Sequence, residues 1–440
     1  MASVIVYPAK CLRGRLTVPG DKSISHRYAL LAAISNGRST IERYAPGADC
    51  ASTLSCLATL GVDIHKSLPS CQSSDTRVTI EGRGLRGLVP PAAPLNAGNS
   101  GTTLRLLSGI LAGQPFHSEI TGDSSLRRRP MKRIIDPLTQ MGAKVIGHHD
   151  RPPILVQGSS LQGIDFTPPV PSAQVKSTVL LAGLQATGDT TVREQQATRD
   201  HTERAFSQFG INVKRHTDSI TVQGGQHPTG SHVVVPGDVS SAAFWATAAA
   251  AIPDSDITLL DVGLNPTRVA FLTILERFGT LIETSNIAEL GGEPRGQIRV
   301  RYNGTSSIEI GETEVPSLID ELPALAALAT HGGSLRVTGA GELRHKESDR
   351  ITDLASGLRA LGASVEEWED GFHVMGGHQL TGGAADATGD HRLAMAFAIA
   401  ALGGKGPSEI HNAEAVDVSY PGFFETLASL RVQMDDNDAS

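Results

Sequence analysis

One pattern returns at long intervals through the 440 residues of this chain. A helix-like segment ends in an apolar residue followed by glycine, and a β-rich run comes next. Glycine at that point is typical of the left-handed residue that ends a helix. Gly61 and Gly279 are 218 residues apart, and Gly142 and Gly362 are 220 residues apart. The glycines of the pattern are Gly61, Gly142, Gly210, Gly279 and Gly362.

The tetrapeptide Val-Pro-Gly-Asp supports the same interval. It occurs at 18–21 and again at 235–238, which is 217 residues later. Three nearly equal offsets indicate an internal duplication. The glycine spacing predicts six α/β units of roughly 70 residues, three in each half. Units of this length and mixed content do not suit a solenoid, so two packed domains fit better.

Chain length and duplication together predict an α/β (α+β) protein of two pseudo-equivalent domains with a cleft between them. The two Val-Pro-Gly-Asp copies are interpreted as the crossings between the domains. The N-terminal segment then belongs with the second half, which makes that domain discontinuous. The predicted domains are 20–236 and 1–19 plus 237–432, with 433–440 as a flexible tail.

Composition narrows the partners and the compartment. The formal net charge of −8 argues against a nucleic-acid or anionic-membrane partner, so a small anionic substrate would need a local basic pocket. The N-terminus lacks the apolar core of a signal peptide, and the apolar stretch 242–252 is shorter than a membrane span. The cysteines include no C-x-x-C pair, which favours reduced thiols in a cytoplasmic protein. They are Cys11, Cys50, Cys56 and Cys71.

The first candidate anion site is the segment PGDKSISHR at 19–27. Lys22, Ser23 and Arg27 fall at the start of a predicted helix, where free N–H groups and the positive dipole end favour an anion. Arg27 can hold a carboxylate with two parallel hydrogen bonds. The alternative is an ordinary serine-capped helix with solvated charges. The second Val-Pro-Gly-Asp copy has no base nearby, so it is interpreted as a crossing between the domains without an anion site.

The second candidate is the glycine-containing loop GNSGTTLR. Asn99, Gly101 and Thr102 open a predicted helix, with Arg105 one turn further on, and such a loop can cradle a phosphate. It lacks the G-K-[ST] of a Walker A loop, and the chain has no G-x-G-x-x-G after a strand, so nucleotide binding is not supported. The alternative is an asparagine-capped core helix.

Other polar segments of the first half are weaker evidence for a binding site when each is taken alone. Five bases lie between 127 and 133, including Arg129, and one or two of them are expected to face a substrate while the others are solvated. No aromatic residue is interleaved, so the run is a weak nucleic-acid patch. Ser172, Gln174 and Arg199 lie near two further helix starts, and either segment alone could be an ordinary N-cap.

The second half supplies carboxylates together with bases. Asp320 and Glu321 stand among apolar residues, where a carboxylate is costly unless it is paired or used for proton transfer. Lys346 and Arg350 share a helix face if a helix begins there, and two like charges on one face indicate a shared anion. Glu347 lies between them in sequence.

Arg392 follows Asp390 and His391 at the start of an almost wholly apolar helix. Such a helix is expected to be buried, so the guanidinium is predicted to face a site rather than solvent. Metal catalysis finds little support, because the chain has no H-E-x-x-H motif. A serine hydrolase is likewise unsupported, because G-x-S-x-G is absent.

In this order the segments resemble the 5-enolpyruvylshikimate-3-phosphate synthases, a family of enolpyruvyl transferases. The resemblance extends from about residue 8 to 430 and is carried by PGDKSISHR, GNSGTTLR, RRPM, SAQVKS, TRDHTE, IDELP, KESDR and GDHR. Eight ordered motifs are specific, whereas any one is a weak signal. The resemblance implies two domains, each of three βαβαββ units (the enolpyruvyl transferase fold), with the active site in the interdomain cleft.

The resemblance also implies an activity. The enolpyruvyl group of phosphoenolpyruvate would pass to the 5-hydroxyl of shikimate 3-phosphate through a tetrahedral intermediate, with release of phosphate, on the route to chorismate and the aromatic amino acids. No metal and no organic cofactor is expected. The implied partners are these two small molecules, without nucleic acid or membrane, and the implied state is a cytoplasmic monomer.

Residue roles follow from the matched motifs. Asp320 would take the proton of the 5-hydroxyl, and Glu347 and Lys22 are the candidates for protonating the methylene carbon. Shikimate 3-phosphate is expected to contact Lys22, Ser23, Arg27, Ser172, Gln174, Arg199, Asp320 and Lys346. Phosphoenolpyruvate is expected to contact Lys22, Asn99, Gly101, Thr102, Arg129, Gln174, Arg350 and Arg392.

The chemistry accounts for so many bases. Each substrate carries a phosphate and a carboxylate, so at least four anionic groups must converge, which would be prohibitive without lysine and arginine. Addition to a C=C bond needs an acid at carbon and a base at the hydroxyl. Closure of the two domains is expected to keep water from the intermediate.

Three positions depart from the family pattern or bear on inhibition. Ala173 follows Ser172 where some members have a second serine, which removes one phosphate hydroxyl. Val418 stands where some members carry a lysine, which leaves the phosphoenolpyruvate site one cation poorer. Gly101 leaves room beside the substrate where tolerant relatives have alanine, so sensitivity to glyphosate is a hypothesis.

Two alternatives remain open from the sequence. The related transferase acting on UDP-N-acetylglucosamine has the same fold, but it typically has Lys-Asn where this chain has Lys22-Ser23. It also typically has a cysteine on the loop corresponding to 112–125, which contains none. A non-catalytic anion-binding or RNA-end-binding repeat protein is the other alternative, motivated by the bases between 127 and 133.

Overall fold

The computed structural model describes residues 2–67, 76–377 and 379–432. Cys71 and the predicted flexible tail 433–440 lie outside the described residues. Cys11, Cys50 and Cys56 are buried and form no disulfide within the described ranges. Among the helices described, none combines the length and apolarity that crossing a membrane requires.

The strands, in chain order, are β1 (Ser3–Val6), β2 (Cys11–Thr17), β3 (Asn36–Glu42), β4 (Asp63–Ser67), β5 (Arg77–Arg83), β6 (Leu95–Asn96), β7 (His117–Thr121), β8 (Lys144–His148), β9 (Arg151–Gln157), β10 (Asp165–Phe166), β11 (Asp189–Arg193), β12 (Val213–Arg215), β13 (Ser219–Gln223), β14 (His232–Val234), β15 (Asp256–Gly263), β16 (Leu281–Leu290), β17 (Glu293–Arg301), β18 (Ser307–Ile310), β19 (Ser334–Val337), β20 (Ser364–Trp368), β21 (Gly371–Met375), β22 (Ala384–Asp386), β23 (Ser408–His411) and β24 (Arg431–Val432).

The α-helices are α1 (Lys22–Ala33), α2 (Ala48–Thr59), α3 (Gly101–Leu111), α4 (Lys132–Gln140), α5 (Ala173–Gly183), α6 (His201–Gln208), α7 (Val239–Ala251), α8 (Ala270–Arg277), α9 (Val315–Leu318), α10 (Leu322–Ala329), α11 (Arg350–Ala360), α12 (His391–Ala401) and α13 (Phe423–Leu430). Short 3-10 helices cover Leu126–Arg128, Gly341–His345 and Ala413–Val418.

The glycines of the repeated pattern adopt the conformation that their position predicts. Each follows the end of a helix and has φ between 76° and 107°, in the region that favours glycine. This confirms the predicted helix ends at Gly61, Gly142, Gly210, Gly279 and Gly362.

The described strands form six sheets, which confirms the six-unit interpretation. Four of them share one plan, in which a parallel pair is followed by two antiparallel neighbours; their orders are β14-β3-β5-β4, β6-β7-β9-β8, β10-β11-β13-β12 and β18-β19-β21-β20. The other two, β16-β17-β15-β2-β24 and β1-β23-β22, also contain one parallel pair each, β2 with β15 and β22 with β23. In four of the six sheets one or two helices join the parallel strands directly, whereas the partners in the pairs β3–β14 and β2–β15 are far apart along the chain.

The chain divides into two compact units. The first unit consists of Gly20–Pro236 with Glu289–Glu293, and the second of the described residues of Met1–Pro19, Gly237–Ala288 and Pro294–Ser440. Each unit has its own hydrophobic core. The turn between β16 and β17 thus falls with the first unit, whereas the duplication assigns it to the second half.

Both Val-Pro-Gly-Asp copies act as helix caps. Asp21 accepts a hydrogen bond from the Ile24 N–H at 2.9 Å before α1, and Asp238 accepts one from the Ser240 N–H at 2.8 Å before α7. Gly20 is required in the first copy, because a Cβ there would lie 1.8 Å from a neighbouring carbonyl oxygen. The repeated tetrapeptide therefore has a structural role in both halves.

Candidate active site

The first unit places Lys22 at the first residue of α1. Its ammonium lies 3.0 Å from a carboxylate oxygen of Asp49, near the start of α2, and the two side chains are 17% and 7% exposed. The lysine is therefore held in place while part of it stays accessible. Ser23 follows Lys22 in the same first turn. Asp49 was not predicted from the sequence, because nothing near it marks it as the partner of a base 27 residues away.

Arg27 is buried in the same unit and contacts three elements. Its guanidinium donates to the Thr202 hydroxyl at 2.7 Å, to the Ser177 hydroxyl at 2.8 Å and to the Ser23 carbonyl at 2.9 Å. Burial lowers the pKa of Arg27 to about 10, and the positive charge of Arg199 acts in the same direction. A guanidinium has five N–H donors, so these three bonds leave room for a further acceptor.

The glycine-containing loop brings two guanidinium groups to the start of α3. A Cβ on Gly101 would lie 3.0 Å from the Arg105 Nη1 and 3.3 Å from the Arg129 Nη1. Asn99 accepts from the Arg129 Nη2 at 2.7 Å and donates to Asp123 at 2.7 Å. The free N–H groups of a helix start and two cations therefore meet at one point, where an anion is favoured.

Gln174 ties the starts of α3 and α5 together. Its amide nitrogen donates to the Thr102 hydroxyl at 2.9 Å, and its amide oxygen accepts from Arg105. Ser172 caps α5 by accepting from the Val175 N–H at 3.4 Å. These residues, predicted from separate segments, are thus brought together with Gly101.

The bases between 127 and 133 differ in exposure. Arg129 is buried, whereas Arg127, Arg128 and Lys132 are exposed. Lys176 instead has a structural role, because its side chain is buried between two glutamates. Its ammonium lies 2.9 Å from Glu194 and 2.8 Å from Glu203, which is in α6. We call Lys22, Arg27, Gly101, Arg129 and Gln174 the first cluster.

The second unit is organised around Arg350, the first residue of α11. Its side chain is 1% exposed and lies 2.7 Å from an oxygen of Asp390 and 2.6 Å from Glu347. Burial alone lowers the pKa of Arg350, but the two carboxylates outweigh burial and raise it above its usual value. Asp390 also accepts from the Arg392 N–H at 2.9 Å and so caps α12.

Asp320 lies in the short turn between α9 and α10 among three cations. Its carboxylate oxygens are 3.7 Å from the Lys346 ammonium, 3.6 Å from the Arg350 Nη1 and 3.9 Å from the Arg392 Nη2. The Arg392 Nη1 donates to the Asp320 carbonyl at 2.6 Å. The carboxylate is 14% exposed, which leaves part of it accessible to a ligand.

The expected shared helix face of Lys346 and Arg350 is not formed. Lys346 directly follows a 3-10 helix that ends at His345, and α11 begins at Arg350. The two charges converge through Asp320 instead. Burial lowers the pKa of Lys346, and Arg350 reinforces this effect while Asp320 opposes it.

Arg392 is buried at the start of α12, as predicted. Behind it Glu321 accepts from the Ser240 hydroxyl at 2.6 Å and lies 3.1 Å from the Arg268 Nη2. The Arg392 Nη1 is 4.0 Å from the Glu321 Oε1. We call Asp320, Lys346, Glu347, Arg350 and Arg392 the second cluster.

The two clusters differ in chemistry. The first offers cations and helix N–H groups, which suit binding of anions, and the second adds carboxylates that can exchange protons. Within the described ranges, no group of three or more His, Cys, Asp or Glu side chains could hold a metal ion.

Comparison with known proteins identifies the family. A family model described as EPSP synthase (3-phosphoshikimate 1-carboxyvinyltransferase) matches residues 6–427. The 3-phosphoshikimate 1-carboxyvinyltransferase of Shouchella clausii (strain KSM-K16) is 47% identical over 423 residues, covering 96% of this chain and 97% of that protein. The protein of the same name from Bacillus subtilis (strain 168) is 46% identical and covers 95% and 97%.

Solved structures agree. An EPSP synthase from Acinetobacter baumannii is 40% identical with a TM-score of 0.84, covering 98% of this chain and 99% of that chain. The enolpyruvyl transferase NikO from Streptomyces tendae is 17% identical with a TM-score of 0.75 and 97% coverage of both chains, which shows a common fold. The predicted enolpyruvyl transferase fold is confirmed, and this chain belongs to the EPSP synthase (3-phosphoshikimate 1-carboxyvinyltransferase) family.

Proposed function

We propose that this chain transfers the enolpyruvyl group of phosphoenolpyruvate to the 5-hydroxyl of shikimate 3-phosphate and releases phosphate. The observation that carries the proposal is the position of Asp320. The carboxylate lies within 4 Å of Lys346, Arg350 and Arg392, which are groups that attract anionic substrates. It can therefore accept a proton where phosphates and carboxylates gather.

The reaction proceeds by addition and elimination. The 5-oxygen bonds to C2 of phosphoenolpyruvate as Asp320 takes the hydroxyl proton, and the methylene carbon C3 gains a proton to become a methyl group. The tetrahedral intermediate then loses a proton from that methyl group as the bond from C2 to the phosphate oxygen breaks. We propose Glu347 and Lys22 as the candidates for the acid at carbon.

We propose that the two clusters share the binding of the substrates. Shikimate 3-phosphate is assigned to Lys22, Ser23, Arg27, Ser172, Gln174, Arg199, Asp320 and Lys346. Phosphoenolpyruvate is assigned to Lys22, Asn99, Gly101, Thr102, Arg129, Gln174, Arg350 and Arg392. The convergence of Gly101, Arg129 and Gln174 supports a phosphate or carboxylate contact at the start of α3.

The test is phosphate release in the presence of a metal chelator, with each substrate alone and with both. Asp320→Asn keeps the shape and removes the base, so its kcat is expected to fall by at least about 10²-fold, the low end for loss of general base catalysis. Asp256→Asn is the matched control, because Asp256 pairs with Arg299 on the surface of the same unit. Its activity is expected to match the wild type.

Phosphate release that needs no shikimate 3-phosphate would contradict the proposal, and so would an unimpaired Asp320→Asn variant. The family match disfavours both alternatives drawn from the sequence, the UDP-N-acetylglucosamine transferase and the RNA-end-binding protein. We further propose that the protein is a cytoplasmic monomer whose partners are its substrates. Size-exclusion chromatography with light scattering tests the monomer.

A further inference from the structure

We propose that His26 is a positioning residue, and that it orients the start of α3 through a chain of buried hydroxyl groups. The inference rests on the proposed function, because it assigns the start of α3 to phosphoenolpyruvate. His26 lies one turn after Lys22 in α1, has no accessible surface and touches none of the residues assigned to substrate in the contacts below.

The chain consists of consecutive short contacts. The His26 Nδ1 lies 2.6 Å from the Thr53 hydroxyl, which lies 2.7 Å from the Thr103 hydroxyl. The Thr103 hydroxyl donates to the Ser100 hydroxyl at 2.8 Å, and the Ser100 oxygen accepts from the Thr103 N–H at 3.0 Å as the cap of α3. All four side chains are completely buried, so water does not compete for these bonds.

The donor and acceptor roles along these hydrogen bonds follow from the contacts of Thr103. The Thr103 hydroxyl also lies 3.4 Å from the Asp49 carbonyl oxygen, which can only accept. Thr103 therefore donates onward to Ser100 or to this carbonyl, and its oxygen accepts from Thr53. Thr53 in turn accepts from His26, which makes the Nδ1 the protonated ring nitrogen. The Nε2 is buried without a hydrogen-bond partner among the described residues, as expected of the unprotonated nitrogen.

The charge around the imidazole supports this assignment. Burial lowers the pKa of His26 well below its ordinary value, and the positive charges of Lys22 and Arg27 lower it further. A neutral ring with one N–H is therefore the form present at neutral pH. A protonated ring would place another cation beside the lysine assigned to both substrates.

The chain of hydrogen bonds connects three helices, α1, α2 and α3. His26 is on α1 with Lys22, Thr53 is on α2 with the Asp49 partner of that lysine, and Ser100 caps α3 immediately before Gly101. Ser100 caps α3, and the hydrogen bond from Thr103 fixes the orientation of its hydroxyl. The cap in turn fixes the direction of the N–H groups that follow it. The free N–H groups at Gly101 and Thr102 are thereby oriented before an anion arrives.

Thr53→Val tests the chain, because valine keeps the shape and removes the hydroxyl. We expect KM for phosphoenolpyruvate to rise roughly tenfold, with kcat and KM for shikimate 3-phosphate within about twofold of wild type. Thr53→Ser restores the hydroxyl and should restore KM. Thr190→Val is the matched control, because Thr190 is equally buried in the first unit and its hydroxyl has no hydrogen-bond partner among the described residues.

A second pair of variants tests the imidazole itself. His26→Asn can present an N–H near the position of the Nδ1, whereas His26→Leu cannot. We expect the asparagine variant to keep a lower KM for phosphoenolpyruvate than the leucine variant. Equal KM values in these two variants, or an unchanged KM in Thr53→Val, would overturn the inference.

Amide hydrogen exchange separates this inference from the proposed function. Exchange at Gly101, Thr102 and Thr103 should be faster in Thr53→Val than in wild type and in Thr190→Val, whatever reaction the protein catalyses. Faster exchange with normal turnover and unchanged KM would overturn the positioning role. A wild-type protein that shows no turnover would overturn the proposed function, and with it the assignment of the chain to phosphoenolpyruvate.

Discussion

Arg350 shows how a buried charge is retained in this molecule. Its guanidinium is 1% exposed and would be costly without partners, yet Asp390 contacts it through both oxygens, at 2.7 Å and 3.1 Å. Asp390 is itself completely buried and caps α12. One carboxylate thus contacts an arginine assigned to phosphoenolpyruvate and caps the helix α12, whose second residue is another such arginine, Arg392.

Asp390→Asn separates the charge from the cap. Asparagine still caps a helix, but it leaves the buried Arg350 without its main counter-charge. We expect the free energy of unfolding in urea to fall by about 2–4 kcal/mol, near the range for breaking a buried ion pair. Asp349→Asn is the matched control, because Asp349 caps α11 and pairs with Arg344 while both side chains are partly exposed. A loss of under about 1 kcal/mol is expected there, and equal losses in the two variants would contradict the argument.

The lowered pKa of Lys346 predicts a pH dependence of substrate binding. Burial lowers this pKa below the ordinary lysine value, so the ammonium loses its proton at a lower pH than an exposed lysine does. If the charge holds the phosphate of shikimate 3-phosphate, KM for that substrate is low below the pKa and rises as pH increases through it. Lys346→Arg should remove the alkaline rise, because arginine stays charged. The same rise in both proteins would exclude Lys346 as its source.

At the scale of elements, local sequence predicted what depends on local chemistry. The helix-ending glycines follow from a backbone need that is visible in a few residues. The capping residues were less certain: the sequence offered a serine before α1 and an asparagine before α3, and the caps are Asp21 and Ser100. The second-half counterpart of α3 departs from this pattern of capping. It is broken into α9 and α10, and α10 begins without a side-chain cap. Asp320 lies at that break. The local sequence did not indicate that Lys346 approaches it, because the contact depends on packing between distant elements; only the family resemblance assigned both residues to one substrate.

The crossing of α3 and α5 depends on one small residue. A Cβ on Gly109 would lie 2.4 Å from the Thr178 carbonyl oxygen, and a backbone oxygen cannot rotate away. Gly109→Ala must therefore separate two helices whose starts are joined by the bond from Gln174 to Thr102.

We expect Gly109→Ala to lower the free energy of unfolding by about 1–2 kcal/mol, because overpacking outweighs the gain in helix propensity. KM for phosphoenolpyruvate should rise as well. Gly311→Ala is the control, because nothing lies within 4 Å of a Cβ at that position. Unchanged stability in urea for Gly109→Ala would show that the two helices adjust without cost.

At the scale of the whole molecule, the duplication was visible in the sequence and led us to group residues 1–19 with the second half, but it did not indicate which strands pair. β1 pairs with β23 and β2 pairs with β24, so the N-terminal strands complete sheets near the opposite end of the chain. β14 likewise returns to pair with β3. Such pairings are set by the packing of complete sheets. A local hydrophobic pattern can predict a strand, but it does not identify the strand with which it pairs.

The chain ends of each unit lie side by side. The Asp21 N–H donates to the Pro236 carbonyl at 2.8 Å within the first unit, and the Asp238 N–H donates to the Pro19 carbonyl at 2.8 Å within the second. Deleting residues 20–236 would join Pro19 to Gly237 and regenerate Val-Pro-Gly-Asp. The repeated tetrapeptide therefore marks, in each unit, a position where the chain leaves and returns at neighbouring residues.

We expect the deletion variant and the isolated fragment 20–236 each to unfold cooperatively in urea, because each unit has its own core and a size typical of autonomous domains. Both should be less stable than the full chain. The fragment loses Glu293, whose carboxylate lies 2.7 Å from the ring of the buried His201. Neither piece should release phosphate, because each carries one cluster alone. A piece that binds a hydrophobic dye and shows no cooperative transition would mean that its core needs the other unit in order to fold, despite the regenerated joint.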